Sequence, residues 1–389
     1  MFDFVIVGAG LSGAVMAERI ARVMDRRVLV IEKRPHIGGN IYDRYDEQGV
    51  LIHQYGPHIF HTKLKHVWDY LSRFTDWRLY HHRVLGHIDG RLVPIPFNLN
   101  ALHQLLPGGL AGRLEDKLVR AFGYPAKVPI LKLRETDDED LKWLASFVYE
   151  KVFLHYTTKQ WGMKPEELDP SVTGRVPVSV SKDDRYFQDA YQGMPAAGYT
   201  VMIGRMLDHS NIKLLLNTDY REVLETDWTD GTMRLFGQPF EGKLIFTGKI
   251  DELFGYEFGE LPYRSLRFEF ETVRREQYQP VGTVNYPDGY DFTRITEFKH
   301  LTGQKHPYTT LVREYPQPYE KDTPGKDIPY YPIPRPENQE RYKQYLRKAQ
   351  RFDRLILLGR LAEYTYYDMD ACVAKALKVF EQQVNVQTP

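Results

Sequence analysis

Residues 4–40 read FVIVGAGLSGAVMAERIARVMDRRVLVIEKRPHIGGN, and this stretch decides the first layer of the fold. An apolar run from Phe4 to Val7 meets Gly8, Gly10 and Gly13. A helical pattern opens at Leu11 and Ser12, and a second apolar run, Val28 to Ile31, ends in Glu32. The order is strand, glycine turn, helix, strand. Gly8 permits the tight turn, Gly10 lets backbone N–H groups approach a pyrophosphate, and Gly13 lets the helix pack closely on the strand. The helix N-terminus then faces the anion. Glu32 stands where a carboxylate accepts from ribose hydroxyls. A lone GxGxxG carries little weight. Set between strand and helix with an acid downstream, it predicts a dinucleotide site, against the alternative of a glycine-rich turn that binds nothing.

The chain has 389 residues, too many for one compact core, so two or three domains are expected. Lys plus Arg (52) equals Asp plus Glu (52), so no global field attracts nucleic acid or an anionic membrane. The first residues run straight into a strand, with no signal peptide and no apolar run of membrane-spanning length expected. The single cysteine, Cys372, excludes an intrachain disulfide and fits a reducing, cytoplasmic setting.

The fold class expected is α/β: a discontinuous Rossmann-like dinucleotide domain with a helical insertion and an antiparallel β-sheet insertion. The dinucleotide domain takes residues 1–78, 198–250 and 345–389. The helical domain takes 79–161, with a helix start at Asp137–Asp140 and apolar residues at helical spacing after it. Residues 162–197, rich in Gly and Pro, read as a long irregular loop of the kind that serves as a lid. Residues 251–344 carry period-two alternation over Leu266–Phe270, Val281–Asn285 and Thr309–Arg313, the pattern of an antiparallel sheet. A helix is expected over Pro336–Ala349, a strand over Leu355–Leu358, and a last helix from about Asp370. There is no internal repeat.

Four further segments bear chemistry. Tyr55-Gly-Pro-His58-Ile59-Phe-His61-Thr places two histidines in a Gly-Pro turn, without the third ligand a metal would need. His61 therefore reads as a proton-handling or cofactor-contacting group, against the plain alternative of a turn histidine bonded to backbone. Phe153-Leu-His-Tyr156-Thr157-Thr-Lys-Gln-Trp161 offers rings on which a base can stack, or a helix end packed on the core. Thr293-Arg294-Ile-Thr-Glu297, with Asn285 a strand earlier and Arg175 on the loop, supplies two guanidiniums whose planar forks suit a diphosphate; surface arginines are the alternative. Gly359-Arg360 follows a strand, and Tyr366-Tyr367-Asp368-Met369-Asp370 leads into the last helix, with Asp368 or Asp370 as its cap.

Together with EKRPHIGGN, GRVPV, DDRYFQDAYQGMPAAGYT and DIPYYPI, these motifs resemble the UDP-galactopyranose mutase family over nearly the whole chain. The glycine pair Gly38-Gly39 so soon after Glu32 likewise resembles the large FAD family that includes amine oxidases. The resemblance implies FAD, active when reduced, as the cofactor. It implies interconversion of the pyranose and furanose forms of UDP-galactose, with flavin N5 as nucleophile on the anomeric carbon and a flavin–sugar adduct. The product would supply galactofuranose for cell-surface glycans. It also implies a homodimer and an external reductant such as NAD(P)H.

Carried onto this sequence, the resemblance implies a uridine pocket of Phe153, Tyr156, Thr157 and Trp161, with Asn285 on the nucleotide. The diphosphate would lie against Arg175, Arg294, Tyr186, Tyr331 and Tyr366, with Tyr330 as the alternative to Tyr331. His82 is implied as a sugar contact and His103 as a weaker one. The FAD contacts implied are Gly8, Gly10, Leu11, Ser12, Gly13, Glu32, Lys33, Gly38, Gly39, Asn40, His58, Ile59, His61, Tyr220, Gly359, Arg360, Tyr367, Asp368 and Met369. His61, Arg175, Arg294 and Arg360 would serve the chemistry. Two other readings share the fold: an FAD oxidoreductase of the amine-oxidase kind, marked by flavin reduction on adding an amine, and a non-catalytic binding protein, marked by absence of flavin.

Overall fold

The computed structural model describes residues 2–162, 177–333 and 335–385. Its centre is a five-stranded parallel sheet in the spatial order Ile212–Leu215, Val28–Ile31, Phe4–Val7, Lys243–Phe246 and Leu355–Leu357. Each strand is short and almost wholly apolar, as expected where helices cover both faces. Three of the five strands come from beyond residue 200, so the dinucleotide domain is assembled from separated stretches. Helices Leu11–Met24, Tyr199–Leu207 and Met369–Val379 pack together in the apolar cluster on one face of the sheet. Tyr345 and Ala349, from the helix Pro336–Ala349, join the cluster on the other face.

The glycine turn is dictated by close approach. A Cβ at Gly13 would lie 2.0 Å from the Gly8 carbonyl oxygen. Gly8 itself has φ +105°, and its Cβ would lie 2.1 Å from the Thr247 hydroxyl, which donates to the Val7 carbonyl at 2.8 Å. Only glycine fits at either place.

The second large sheet has seven strands, in the order Tyr331–Pro332, Tyr263–Val273, Thr309–Pro318, Arg294–Glu297, Thr283–Asn285, Val84–Ile88 and Arg91–Ile95. It is antiparallel except where Thr283–Asn285 runs parallel to Val84–Ile88. This corrects the expected boundary at 79: the hairpin 84–95 belongs to the sheet, and helices begin only at Leu99–Leu105. The helical unit then runs through Gly108–Phe122, Ile130–Arg134 and Glu139–Val148, the last capped by Asp138, whose carboxylate accepts from the N–H groups of Asp140 and Leu141.

The expected loop 162–197 also needs correction. Val178–Val180 pairs with Ala126–Val128, and Tyr191–Pro195 is the central strand of a three-stranded sheet between Phe60–Thr62 and Trp77–Leu79. Gly193 there marks packing, not irregularity: a Cβ at this position would meet the Arg78 carbonyl at 3.0 Å and the Trp68 ring at 3.3 Å. The stretch 163–176, with Arg175, lies outside the described residues.

Candidate active site

The two sheets and the helical unit enclose one cavity of about 490 Å³. Its floor is the Tyr55–Ile59 turn with Arg360, Asp368 and Met369, which stand at the C-terminal edge of the parallel sheet. Ligands of open α/β sheets bind at that edge. Its wall is a helix and the second sheet: Phe153, Tyr156, Thr157 and Trp161 from one, Asn285, Arg294 and Tyr331 from the other. His61, His82, Tyr186 and Tyr366 complete it.

A break in helical geometry brings the wall helix round. Residues Tyr149–Leu154 form a turn of π-helix between Glu139–Val148 and His155–Trp161. Such wide turns recur at functional sites because they swing the following side chains about the axis. Here Val152, Phe153, Tyr156, Thr157, Gln160 and Trp161 all reach the cavity. Burial pushes the Tyr156 hydroxyl up to about 12, so the ring is a neutral stacking surface.

The helix is held from two sides. Lys159 Nζ donates to the carbonyls of Tyr286, Tyr290 and Phe292 at 2.5, 3.0 and 3.2 Å. Arg264 Nε donates to the Gln160 carbonyl at 3.1 Å.

Arg294 is fixed by its cross-strand neighbour Glu314. Nε donates to Oε1 at 2.5 Å and Nη2 to Oε2 at 2.8 Å, with the Glu314 side chain 1% exposed and that of Arg294 28% exposed. Burial opposes the guanidinium charge, but Glu314 outweighs it and holds Arg294 well above the ordinary value. Arg360 lies over the Tyr366 ring at 5.1 Å and donates to the carbonyls of Tyr330 and Tyr367 at 3.0 and 2.8 Å. Tyr331 stacks on Tyr366, ring centroids 5.6 Å apart.

His58 and His82 are held neutral, each pushed down to about 3, chiefly by burial. His61 Nδ1 lies 2.8 Å from Asp189 Oδ2. Among the described residues, no group of three or more His, Cys, Asp or Glu is placed to hold a metal.

The glycine turn suits a dinucleotide on structural grounds. The helix Leu11–Met24 begins at Gly10 without a side-chain cap and without an acid in its first turn, leaving its first N–H groups for an anion. Gly38 and Gly39 have φ +92° and +55°, and a Cβ at Gly39 would meet the Gly10 Cα at 3.0 Å. Ser12 stands at that N-terminus against Gly359, and Asn40 accepts from Arg34 Nη2 at 3.0 Å. Glu32 is buried and accepts from the N–H groups of Ala9 and Arg34 at 2.9 Å each. Among the described residues, two buried polar atoms nearby have no partner: Arg34 Nη1 and the Tyr330 hydroxyl. Asn285 Oδ1, on the cavity wall, has none either. Buried polar groups are normally satisfied, so each asks for a ligand atom.

Some expected residues fall elsewhere. Lys33 is exposed, while its neighbour Arg34 turns inward with its guanidinium 4.4 Å from the Tyr55 ring centre, a second basic candidate. His103 sits on Leu99–Leu105, bonded through Nε2 to Glu115 at 2.5 Å, and is not among the cavity residues. Tyr220 packs edge-on against Phe246 beside the parallel sheet. Tyr367 contributes its carbonyl to Arg360, and its ring does not line the cavity. Asp368 occupies the cap position of the last helix, but its side chain makes no capping bond; Asp370 accepts from Ala371 N–H and the Thr62 hydroxyl instead. Sequence reasoning passed over Arg34, Glu314, Lys159, Phe187 and Asp189. The tight turn at Lys33-Arg34 was a visible signal for the first; the others depend on pairings across the chain.

The model of the UDP-galactopyranose mutase family matches residues 151–366, and that of the NAD(P)-binding Rossmann-like domain matches 6–74. The UDP-galactopyranose mutase of Mycoplasma pneumoniae is 37% identical over 98% of this chain and 96% of its own length. The dTDP-fucopyranose mutase of Escherichia coli is 33% identical over 97% of each chain. A crystal structure of reduced UDP-galactopyranose mutase superposes with a TM-score of 0.76, at 16% identity, over 100% of this chain and 97% of that one. The chain belongs to the UDP-galactopyranose mutase family.

Proposed function

We propose that the protein interconverts UDP-galactopyranose and UDP-galactofuranose, with FAD bound in its reduced form. The observation that carries this reading is the cavity in which the edge of a dinucleotide-binding sheet meets a wall of stacking rings and arginines. Reduced FAD, when bound, would supply a nucleophilic N5 for the anomeric carbon.

The chain's own residues do the rest. Phe153, Tyr156, Thr157 and Trp161 hold the uridine, with the unpartnered Asn285 Oδ1 accepting from it. Arg294 takes the diphosphate, with Tyr186, Tyr331 and Tyr366 beside it, and Arg175, outside the described residues, is the further donor that the resemblance implies. His82, buried and neutral, faces the sugar. Glu32, Arg34, Ser12 and the glycines would hold the cofactor, while His61 and Arg360 line the cavity. Closing the cavity around the sugar excludes water, which would otherwise hydrolyse an activated glycosyl group.

We further assign the protein to the cytoplasm as a homodimer that draws electrons from a reductant such as NAD(P)H and supplies galactofuranose for surface glycans. The Escherichia coli relative favours a second nucleotide sugar, dTDP-fucopyranose, as an alternative substrate. The test is turnover by the dithionite-reduced protein, with UDP-galactofuranose and dTDP-fucofuranose offered separately. Conversion of neither would overturn the proposal.

A further inference from the structure

His61 is fixed by a device that the nucleotide and cofactor contacts do not require. It lies on the strand Phe60–Thr62, directly opposite Gln192 of the neighbouring strand. The segment before that strand grips the imidazole twice. Phe187 stacks on its face, centroids 3.5 Å apart and planes 16° from parallel. Asp189 Oδ2 meets Nδ1 at 2.8 Å, the two side chains being 15% and 18% exposed. The grip is itself braced: the Gln192 side-chain amide, 3% exposed, donates to the carbonyls of Phe187 and Asp189 at 3.2 and 2.9 Å.

A carboxylate only accepts, so the proton of a neutral His61 sits on Nδ1 and its lone pair on Nε2. Among the described residues Nε2 makes no hydrogen bond, and the ring lines the cavity. Other titratable or charged groups lining the cavity include His58 and His82, both held neutral, Tyr186 beside Phe187, Arg360, Asp368, and Arg294, which is paired with Glu314. His82 Nδ1 faces the Tyr80 hydroxyl at 3.2 Å.

We propose that Asp189 is a positioning residue: it holds His61 as the Nδ1–H tautomer, so that the Nε2 lone pair faces the bound sugar as a proton acceptor. The role toward the sugar rests on the function proposed above; the tautomer does not. Contracting a pyranose to a furanose takes one proton from the hydroxyl that closes the smaller ring. It returns one proton to the oxygen freed from the larger ring. One imidazole can serve both, accepting at Nε2 and giving back from Nε2, with Asp189 against the transient positive charge. No proton is gained or lost overall, as an isomerisation demands.

The test uses the FAD-loaded protein labelled with 15N-histidine, its His61 signals identified by their loss in His61→Gln. Wild-type protein should show a protonated Nδ1 and a bare Nε2. Asp189→Ala should abolish that preference and lower kcat of the reduced protein roughly 100-fold, within the usual range for general acid–base groups. UDP affinity should stay within about twofold, since none of these groups belongs to the nucleotide wall. Asp189→Asn, neutral and isosteric, guards against misfolding and should lower kcat at least about tenfold. A bare Nδ1 in the wild type, or a tautomer unchanged in Asp189→Ala, overturns the positioning. Unchanged kcat in both variants overturns the proton role. A wild-type protein inactive on both nucleotide sugars would instead overturn the function proposed above, and the spectrum would still decide the tautomer.

Discussion

Arg294 and Glu314 form a pair whose two halves separate binding from stability. The Glu314 carboxylate is buried and has both oxygens on Arg294, while Arg294 Nη1 makes no hydrogen bond among the described residues and the side chain lines the cavity. Arg294→Ala therefore removes two things. One is a charged donor to the diphosphate, worth about 1.5–3 kcal/mol, or roughly 10- to 150-fold in UDP affinity. The other is the partner of a buried carboxylate, whose loss costs about 3–5 kcal/mol of stability. The double variant Arg294→Met with Glu314→Met removes the stranded charge. It should recover most of the stability in urea melts while leaving UDP binding as weak as in the single variant. Calorimetric titration with UDP, beside the melts, reads both. UDP affinity within twofold of wild type in either variant would refute the diphosphate assignment; a double variant no more stable than the single would refute the stranded-charge argument.

Other expectations follow from single contacts. Lys159→Met frees the carbonyls of Tyr286, Tyr290 and Phe292 and loosens the wall helix, so UDP affinity should fall about tenfold with kcat little changed, checked by titration and initial rates. Gly13→Ala drives a methyl into the Gly8 carbonyl and should yield protein without flavin absorbance, with circular dichroism reporting whether the fold persists. Burial pushes His53 and His82 down to about 3 from an ordinary 6.5, so the unfolded chain takes up protons first as pH falls below the ordinary value. Stability should thus be full above that value and decline below it, by about 1.4 kcal/mol per histidine one unit lower. Urea melts across that range check this; a flat profile contradicts it.

The parts of the fold legible in the sequence are those set by local pattern. The strand–turn–helix at residues 4–24, the helix Pro336–Ala349 and the strand Leu355–Leu357 appear where periodicity and end signals put them. The hairpin 84–95 was not legible as sheet. Its two five-residue strands carry Gly86 and Pro94, and they are held by pairing with a strand some 200 residues later, which no local signal announces. The Gly-Pro stretch before Tyr199 misled for the same reason: Gly193 is there to admit Trp68 and the Arg78 backbone.

The site divides likewise. Arginines and tyrosines stood out by chemistry, and the cavity contains most of them. His103 did not reach it because Leu99–Leu105 turns that side chain toward Glu115. Glu314 and Asp189 were invisible, because what they do depends on which strand or segment lies opposite.

The most direct measurement of the central claim is turnover of UDP-galactofuranose by the purified protein before and after reduction with dithionite, with its flavin spectrum recorded alongside. The account predicts a flavin spectrum, no turnover while oxidised, and UDP-galactopyranose formed once reduced. A flavin-loaded, fully reduced protein that leaves UDP-galactofuranose unchanged would contradict it.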